Sequence, residues 1–287
     1  MAVGQRLRCE SPRMKLIVFL STGRCGTQFF MRYLAGAAAD RAVVAHEPIE
    51  ADYAPKYTLR APDLEQLLSR YPSVREHLDE IATIGEGGQV YIETGWPNFS
   101  WIPLMLSRFS DEAIVVHLIR NPVHFAFSFA SHRFFGTARP RRKDALVQLA
   151  QLHPTDPGIK FRQYEAEWDS LNPVEKSLFQ WLEVNAWAEE LKTAHPESFV
   201  TLRAEDAWSQ PELLLESLVS REPRLTAVFR DRAAAPGVVD DYSLTIKFAV
   251  DSLRYIPEVQ QLAARYGYSM DLDDAGIVQR FLVDEGI

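Results

Sequence analysis

The sequence predicts an α/β fold in which a parallel sheet is wrapped by helices into three layers. Three observations predict it. Five short apolar runs rich in β-branched residues recur at 15–20, 42–45, 90–93, 113–119 and 198–202. Helical patterns lie between them, at 26–38, 62–82, 99–108, 121–133 and 174–194, and this alternation is the signature of parallel strands joined by crossover helices. No repeat or low-complexity linker interrupts it, and 287 residues suffice for one large domain.

The elements follow in order. Residues 1–13 read as a flexible leader, and 14–287 as a single domain. The first strand runs into a turn of small residues, and a helix starts at about Gly26. The helix expected over 121–133 begins with Pro122, whose missing N–H costs nothing in a first turn. Residues 136–172 break the rhythm. They carry Pro140, Pro154, Pro157 and the basic cluster Arg139, Arg141, Arg142 and Lys143, the pattern of an irregular insertion that serves as a lid or mobile loop. A solvated charge run accounts for the basic cluster equally well. A last helix, 257–266, stops at Gly267, a common stop signal.

Composition narrows the function. The hydrophobic fraction is 47% and the charged fraction 24%, ordinary for a chain that builds a core. The net charge of −8 argues against a general nucleic-acid binder, whose affinity comes from clustered Lys and Arg. A small anionic ligand needs only a local positive cluster. No apolar run reaches the roughly 18 residues of a helical membrane span. The two cysteines, Cys9 and Cys25, support neither a disulfide framework nor a metal site, and a reducing, cytoplasmic setting is the expectation.

The most informative segment is the first loop, Ser21-Thr22-Gly23-Arg24-Cys25-Gly26-Thr27-Gln28. Gly23 and Gly26 let the backbone curl and turn its N–H groups inward. The helix start adds N–H donors and the positive end of its dipole, which together make a cradle for phosphate-like oxygens. Arg24 adds a forked cation and Thr27 a hydroxyl. No GK[ST] follows, which lowers the case for a magnesium-dependent kinase or ATPase. A plain strand-to-helix turn with an exposed arginine remains the alternative.

The second segment is Arg120-Asn121-Pro122, after the strand at 113–119, with Ser128 eight residues beyond Arg120. Two helical turns put both side chains within reach of one anion. A helix cap and an ordinary helical serine is the alternative.

Taken in order, these segments resemble the PAPS-dependent sulfotransferases, where PAPS is 3′-phosphoadenosine 5′-phosphosulfate. The first is similar to that family's 5′-phosphosulfate loop, and the second to its 3′-phosphate motif. Trp181-Leu182-Glu183-Val184-Asn185, then Arg203-Ala204-Glu205-Asp206, and Leu262-Ala263-Ala264-Arg265-Tyr266-Gly267-Tyr268 resemble its later helix, its "R-x-E-D" turn and its closing helix. The likeness spans about residues 14–270. It implies a P-loop NTPase-like sulfotransferase fold, PAPS as donor and 3′-phosphoadenosine 5′-phosphate (PAP) as product. Gly23, Arg24, Cys25, Gly26, Thr27 and Gln28 would meet the 5′-phosphosulfate, and Arg120 and Ser128 the 3′-phosphate. The acceptor would be a hydroxyl or amine on a small molecule, carbohydrate or lipid headgroup.

The resemblance also indicates where a base would lie. The cytosolic branch carries a histidine after the third strand, and here Ile92-Glu93-Thr94-Gly95 places Gly95 there. Other branches, among them bacterial glycolipid and tyrosylprotein sulfotransferases, use a glutamate after the second strand, where this chain has His46-Glu47-Pro48. Glu47 is the expected general base, His46 its rival and Glu93 the third candidate; a cap or an ion pair is the structural alternative for Glu47. Trp96, Phe99 and Trp101 are either an acceptor wall or core. Two other functions stay open: a P-loop-like kinase or nucleotide hydrolase, and a non-catalytic nucleotide-binding member.

Overall fold

The computed structural model describes residues 15–132, 134–135, 148–229 and 257–270. Its centre is a five-stranded sheet of order β2-β3-β1-β4-β5, every pair parallel. The strands are β1 (Leu16–Leu20), β2 (Ala42–Ala45), β3 (Val90–Glu93), β4 (Ala113–Ile119) and β5 (Phe199–Arg203). The helices are α1 (Thr27–Ala37), α2 (Pro55–Thr58), α3 (Leu64–Leu67), α4 (Pro72–Glu86), α5 (Ile102–Phe109), α6 (Pro122–Ser131), α7 (Pro173–Ala194), α8 (Ala204–Ser209), α9 (Glu212–Arg221) and α10 (Pro257–Arg265).

The inner strands β3, β1 and β4 are buried along their whole length because both of their faces are covered, and they are apolar apart from Glu93 and His117. In β1, Leu16, Val18 and Leu20 join one core with Val115, Phe125, Phe129 and Trp181, while Ile17 and Phe19 join a second with Phe30, Leu34, Leu214 and Leu218. The period-two alternation of a strand thus sorts one run of residues between two helical layers. Pairing is in step across the sheet: Ile17 lies opposite Ile92 and Ile114.

The single helix expected over 62–82 is not what forms. Residues 64–67 make one turn, the chain breaks at Tyr71, and α4 starts afresh at Pro72. The residue before a proline is pushed out of the helical region, and Tyr71 has φ −128° and ψ 69°.

The described part of the insertion, 148–172, follows an irregular path but is packed. Ala150, Leu152, Ile159, Trp168 and Leu171 are buried. Its backbone is satisfied by two buried side chains of α7. Gln180 accepts from Leu152 N–H at 2.8 Å and donates to the Ala150 carbonyl at 3.1 Å, and Glu183 accepts from Lys160 and Phe161 N–H at 3.0 and 2.7 Å. The basic cluster at Arg139, Arg141, Arg142 and Lys143 lies outside the described residues, as do the leader and Cys9.

Strand order locates the site. From β1 the chain crosses to β2 on one side, and from β4 it passes to β5 on the other. The crevice between the C-terminal ends of β1 and β4 is therefore the topological switch point, where open α/β sheets bind ligands. Both sequence segments singled out above open there.

Candidate active site

The first loop adopts the curl that its glycines allow. Gly23, Arg24 and Gly26 have φ of 79°, 54° and 77°. At Gly26 the fold strongly favours glycine, since a Cβ would lie 2.2 Å from Nε1 of Trp208. At Gly23 a Cβ would lie 2.9 Å from the Trp96 ring. Two indoles therefore clamp the loop from opposite sides. Trp208 also donates from Nε1 to the Cys25 carbonyl at 3.1 Å.

Inside the loop the polar groups divide. Gly23 N–H turns inward to Ser21 Oγ at 3.2 Å. The Cys25 side chain is wholly buried, its thiol donates to the Gly23 carbonyl at 3.1 Å, and burial pushes its pKa up to about 11. Its thiol is thus a neutral strut, and any ligand contact from residue 25 has to come from backbone. The first helical bond of α1 runs from Phe30 N–H to the Gly26 carbonyl at 3.1 Å, so the amides of residues 27–29 point out of the helix's open end. Thr27 is buried at that end and Gln28 is exposed.

The second segment meets the first. Arg120 Nη1 donates to the Arg24 carbonyl at 2.6 Å, and the Arg120 guanidinium lies over the Trp208 ring, 5.0 Å from its centroid. Arg24 Nε donates to Ser128 Oγ at 3.2 Å. Arg24, Arg120 and Ser128 thus form one cluster at the β1–β4 crevice, built from positions 104 residues apart at the widest. Nε of Arg120 is buried without a partner, and burial lowers the Arg120 pKa. A guanidinium with an orphaned donor beside a curled, glycine-built loop suits an anionic ligand.

Glu47 sits across the crevice, just past β2, in a left-handed conformation of φ 49°. Its pKa is raised to about 7, chiefly by burial and then by Glu50, with Arg24 pulling it the other way. His46 is bound at Nδ1 to Thr94 Oγ1 at 3.2 Å, and its Nε2 lies 3.6 Å from Glu47 Oε1. Burial lowers the His46 pKa, so near pH 7 the ring is neutral and the two do not form a charged pair. The geometry brings Arg24, Arg120, Ser128, His46 and Glu47 to one edge of the sheet.

Glu93 does not join them. It is wholly buried, with Oε1 accepting from Tyr53 at 2.8 Å and Asn98 at 3.0 Å, and Oε2 lying 2.9 Å from His77 Nε2. As a base it would have to give up these bonds. Phe99 and Trp101 are fully buried and belong to the core, while Trp96 covers Gly23.

Solved structures share this architecture. The sulfotransferase domain of the Synechococcus PCC 7002 olefin synthase superposes with a TM-score of 0.51 at 15% identity, covering 94% of this chain and 100% of that one. The chain has the sulfotransferase fold. The sulfotransferase domain from the curacin biosynthetic pathway (TM-score 0.47, 18% identity, 89% of this chain and 98% of that one) is more distant. So is the sulfotransferase of Alicyclobacillus acidocaldarius (TM-score 0.46, 16% identity, 88% and 96%). No family model and no curated protein matches the sequence. Among the described residues no helix is long and apolar enough to cross a membrane.

Three parts of this sulfotransferase-fold site carried little or no signal as sequence. Trp208 lies 182 residues from Gly26, and only the fold reveals that it favours a glycine there. Thr94, which fixes His46, reads as an ordinary strand-end residue. Glu205 accepts from Asn121 N–H at 2.9 Å and so braces the second segment from below. Only its place in the "R-x-E-D" stretch singled it out.

Proposed function

We propose that this chain transfers a sulfuryl group from PAPS to a hydroxyl or amine acceptor on a small molecule, carbohydrate or lipid headgroup. The observation that carries the reading is the contact between the two segments: Arg120 holds the Arg24 carbonyl while Arg24 holds Ser128. Two anion-binding elements are thereby joined at one crevice, as a ligand with phosphate at both its 5′ and 3′ positions requires. The loop has no lysine or following hydroxyl for a nucleotide triphosphate with magnesium.

The residues present fit such a donor. The N-terminal end of α1 and the amides of the loop would take the 5′ group, and Arg120 and Ser128 the 3′-phosphate. Arg24 Nε donates to Ser128 Oγ, which places the serine hydroxyl beside the loop. When bound, the donor supplies the sulfuryl group that passes in line to the acceptor. Arg24 neutralises negative charge at the loop, and its electrostatic reach extends to Glu47. Glu47 takes the acceptor proton. A carboxylate with a pKa of about 7 is a far better base than an ordinary one and is still half ionised at neutrality. His46, neutral and tethered to Thr94, flanks Glu47 and confines its side chain.

Calorimetric titration with PAP tests the reading, with AMP and ATP–magnesium as controls. Micromolar binding that prefers PAP and weakens in Arg120→Ala is the expected result. Preference for ATP–magnesium would replace it with a kinase or hydrolase. An acceptor screen follows, and PAP binding without transfer to any acceptor, indifferent to Glu47→Ala, would leave a non-catalytic binding protein.

A further inference from the structure

Only Arg120 and Asn121 separate β4 from Pro122, the first residue of α6. This two-residue junction determines where Arg120 and, through α6, Ser128 come to lie. Arg120 offers its carbonyl to Trp181 Nε1 at 2.9 Å. The Asn121 side chain caps α6, accepting from Val123 and His124 N–H at 2.9 and 3.2 Å. The remaining hold on Asn121 comes from outside the junction. Its backbone N–H donates to Glu205 Oε1 at 2.9 Å, and the other oxygen of that carboxylate accepts from the Tyr268 hydroxyl at 2.6 Å. The same hydroxyl lies 3.0 Å from the carbonyl of Ile119, the last residue of β4.

Tyr268 reaches this point by a built turn. At the end of α10, Tyr268 N–H bonds the Ala263 carbonyl at 3.1 Å and Gly267 N–H the Ala264 carbonyl at 3.0 Å, with Gly267 at φ 71°. This pair of bonds with a left-handed glycine is the Schellman termination of a helix. It redirects the chain so that the next side chain points back at β4. Val259, Leu262 and Ala263 bury one face of α10, and Arg203 lies over the Tyr268 ring at 4.5 Å. Asn121 Nδ2 also meets the Ser269 carbonyl at 3.4 Å.

We propose that Tyr268 is a positioning residue for the anion site: acting through Glu205, it holds Asn121 in the register that aims Arg120 and Ser128 at the ligand's second phosphate. The placement is specific. The curl of the first loop is held by Ser21, Trp96 and Trp208, and the loop meets the second segment through the Arg120 bond to the Arg24 carbonyl and the Arg24 bond to Ser128. Loss of the Tyr268 hydroxyl should therefore be felt at the 3′-phosphate end of the ligand and little at the 5′ end. This selectivity rests on the donor reading above; the brace itself does not.

The test uses the full chain and the variant Tyr268→Phe, which keeps the ring under Arg203 and removes only the hydroxyl. Amide hydrogen exchange is read first, without ligand. Exchange at Asn121 should accelerate relative to wild type while Phe30, in the first turn of α1, stays protected. Calorimetry with PAP and AMP is read second. Losing a hydrogen bond to a charged group should weaken PAP about ten-fold and AMP by much less. Glu205→Gln should behave like Tyr268→Phe, and the double variant should lose less than the sum, because the two act as one unit. Unchanged exchange at Asn121 overturns the brace, whatever ligand the protein binds. An equal loss for PAP and AMP, or none for either, shows the brace to be structural only and overturns the positioning role. Wild-type protein that ignores PAP while Asn121 is still deprotected in Tyr268→Phe sinks the donor reading and with it the positioning role, and leaves the brace standing.

Discussion

Gly95 and Glu47 pack side by side just past the ends of the paired strands β3 and β2: a Cβ at position 95 would lie 3.2 Å from Cγ and from the backbone nitrogen of Glu47. The space that a histidine side chain would need at this point is filled by the glutamate and its backbone. The two positions are therefore not independent, and a chain that places its carboxylate here has room for little more than glycine opposite. Gly95→Ala should crowd Glu47 and cost about 1–3 kcal/mol, the usual range for overpacking. Gly95→His should displace Glu47 altogether and abolish transfer while PAP binding survives. Denaturant midpoints and PAP calorimetry on the two variants check this.

The raised pKa of Glu47 makes two statements about pH. Folding tightens this carboxyl's hold on its proton, moving the pKa from 4.5 to about 7. Below pH 4.5 folded and unfolded chains both carry the proton, and Glu47 costs nothing. As pH rises towards about 7 the unfolded chain sheds its proton first, so stability falls through that window and the full cost remains above it. Activity runs the other way, rising as Glu47 ionises near pH 7. Glu47→Gln should flatten the stability slope and remove the rising limb of the rate. Stability curves at pH 5 and 8, with a pH–rate profile on an acceptor found by screening, decide both.

The inner strands were legible because burial on both faces makes them mostly apolar, with Glu93 and His117 as exceptions, and the structure reproduces 42–45, 90–93 and 113–119 to the residue. The curl of the first loop was legible because a left-handed turn has few residue types to choose from. What could not be read was set by approach across the fold. Trp208 acquires its role only by meeting Gly26, and Tyr268 only by meeting Glu205. Glu93 looked available as a base because sequence places it at the strand end, but nothing in that position reveals the three partners that enclose it.

The Gly26–Trp208 contact yields a paired test. Gly26→Ala meets both a backbone at φ 77° and the indole Nε1. Left-handed backbone at a non-glycine residue costs roughly 1 kcal/mol and the clash about as much again or more. Trp208→Phe removes the clashing atom but also the bond to the Cys25 carbonyl. The double variant should regain part of what Gly26→Ala loses, with a coupling of about 1 kcal/mol. Strict additivity in chemical denaturation would show that the loop relaxes away from Trp208 instead.

Glu93 provides the contrast with Glu47, since the two carboxylates lie near the same strand ends and differ in what surrounds them. Glu93→Ala would strand the Tyr53 hydroxyl, the Asn98 amide and His77 Nε2 in a dry interior at once. Each buried polar group left without its partner costs about 1–3 kcal/mol, because it stays buried without compensation. Glu93→Gln keeps a carbonyl oxygen for Tyr53 and Asn98 and sacrifices only the His77 contact, so it should be destabilised much less. In both variants the folded fraction should bind PAP as wild type does, since the Glu93 carboxylate bonds Tyr53, Asn98 and His77 rather than the anion-site residues. A Glu93→Gln protein that is stable, binds PAP and has lost transfer would instead move the base from Glu47 to Glu93.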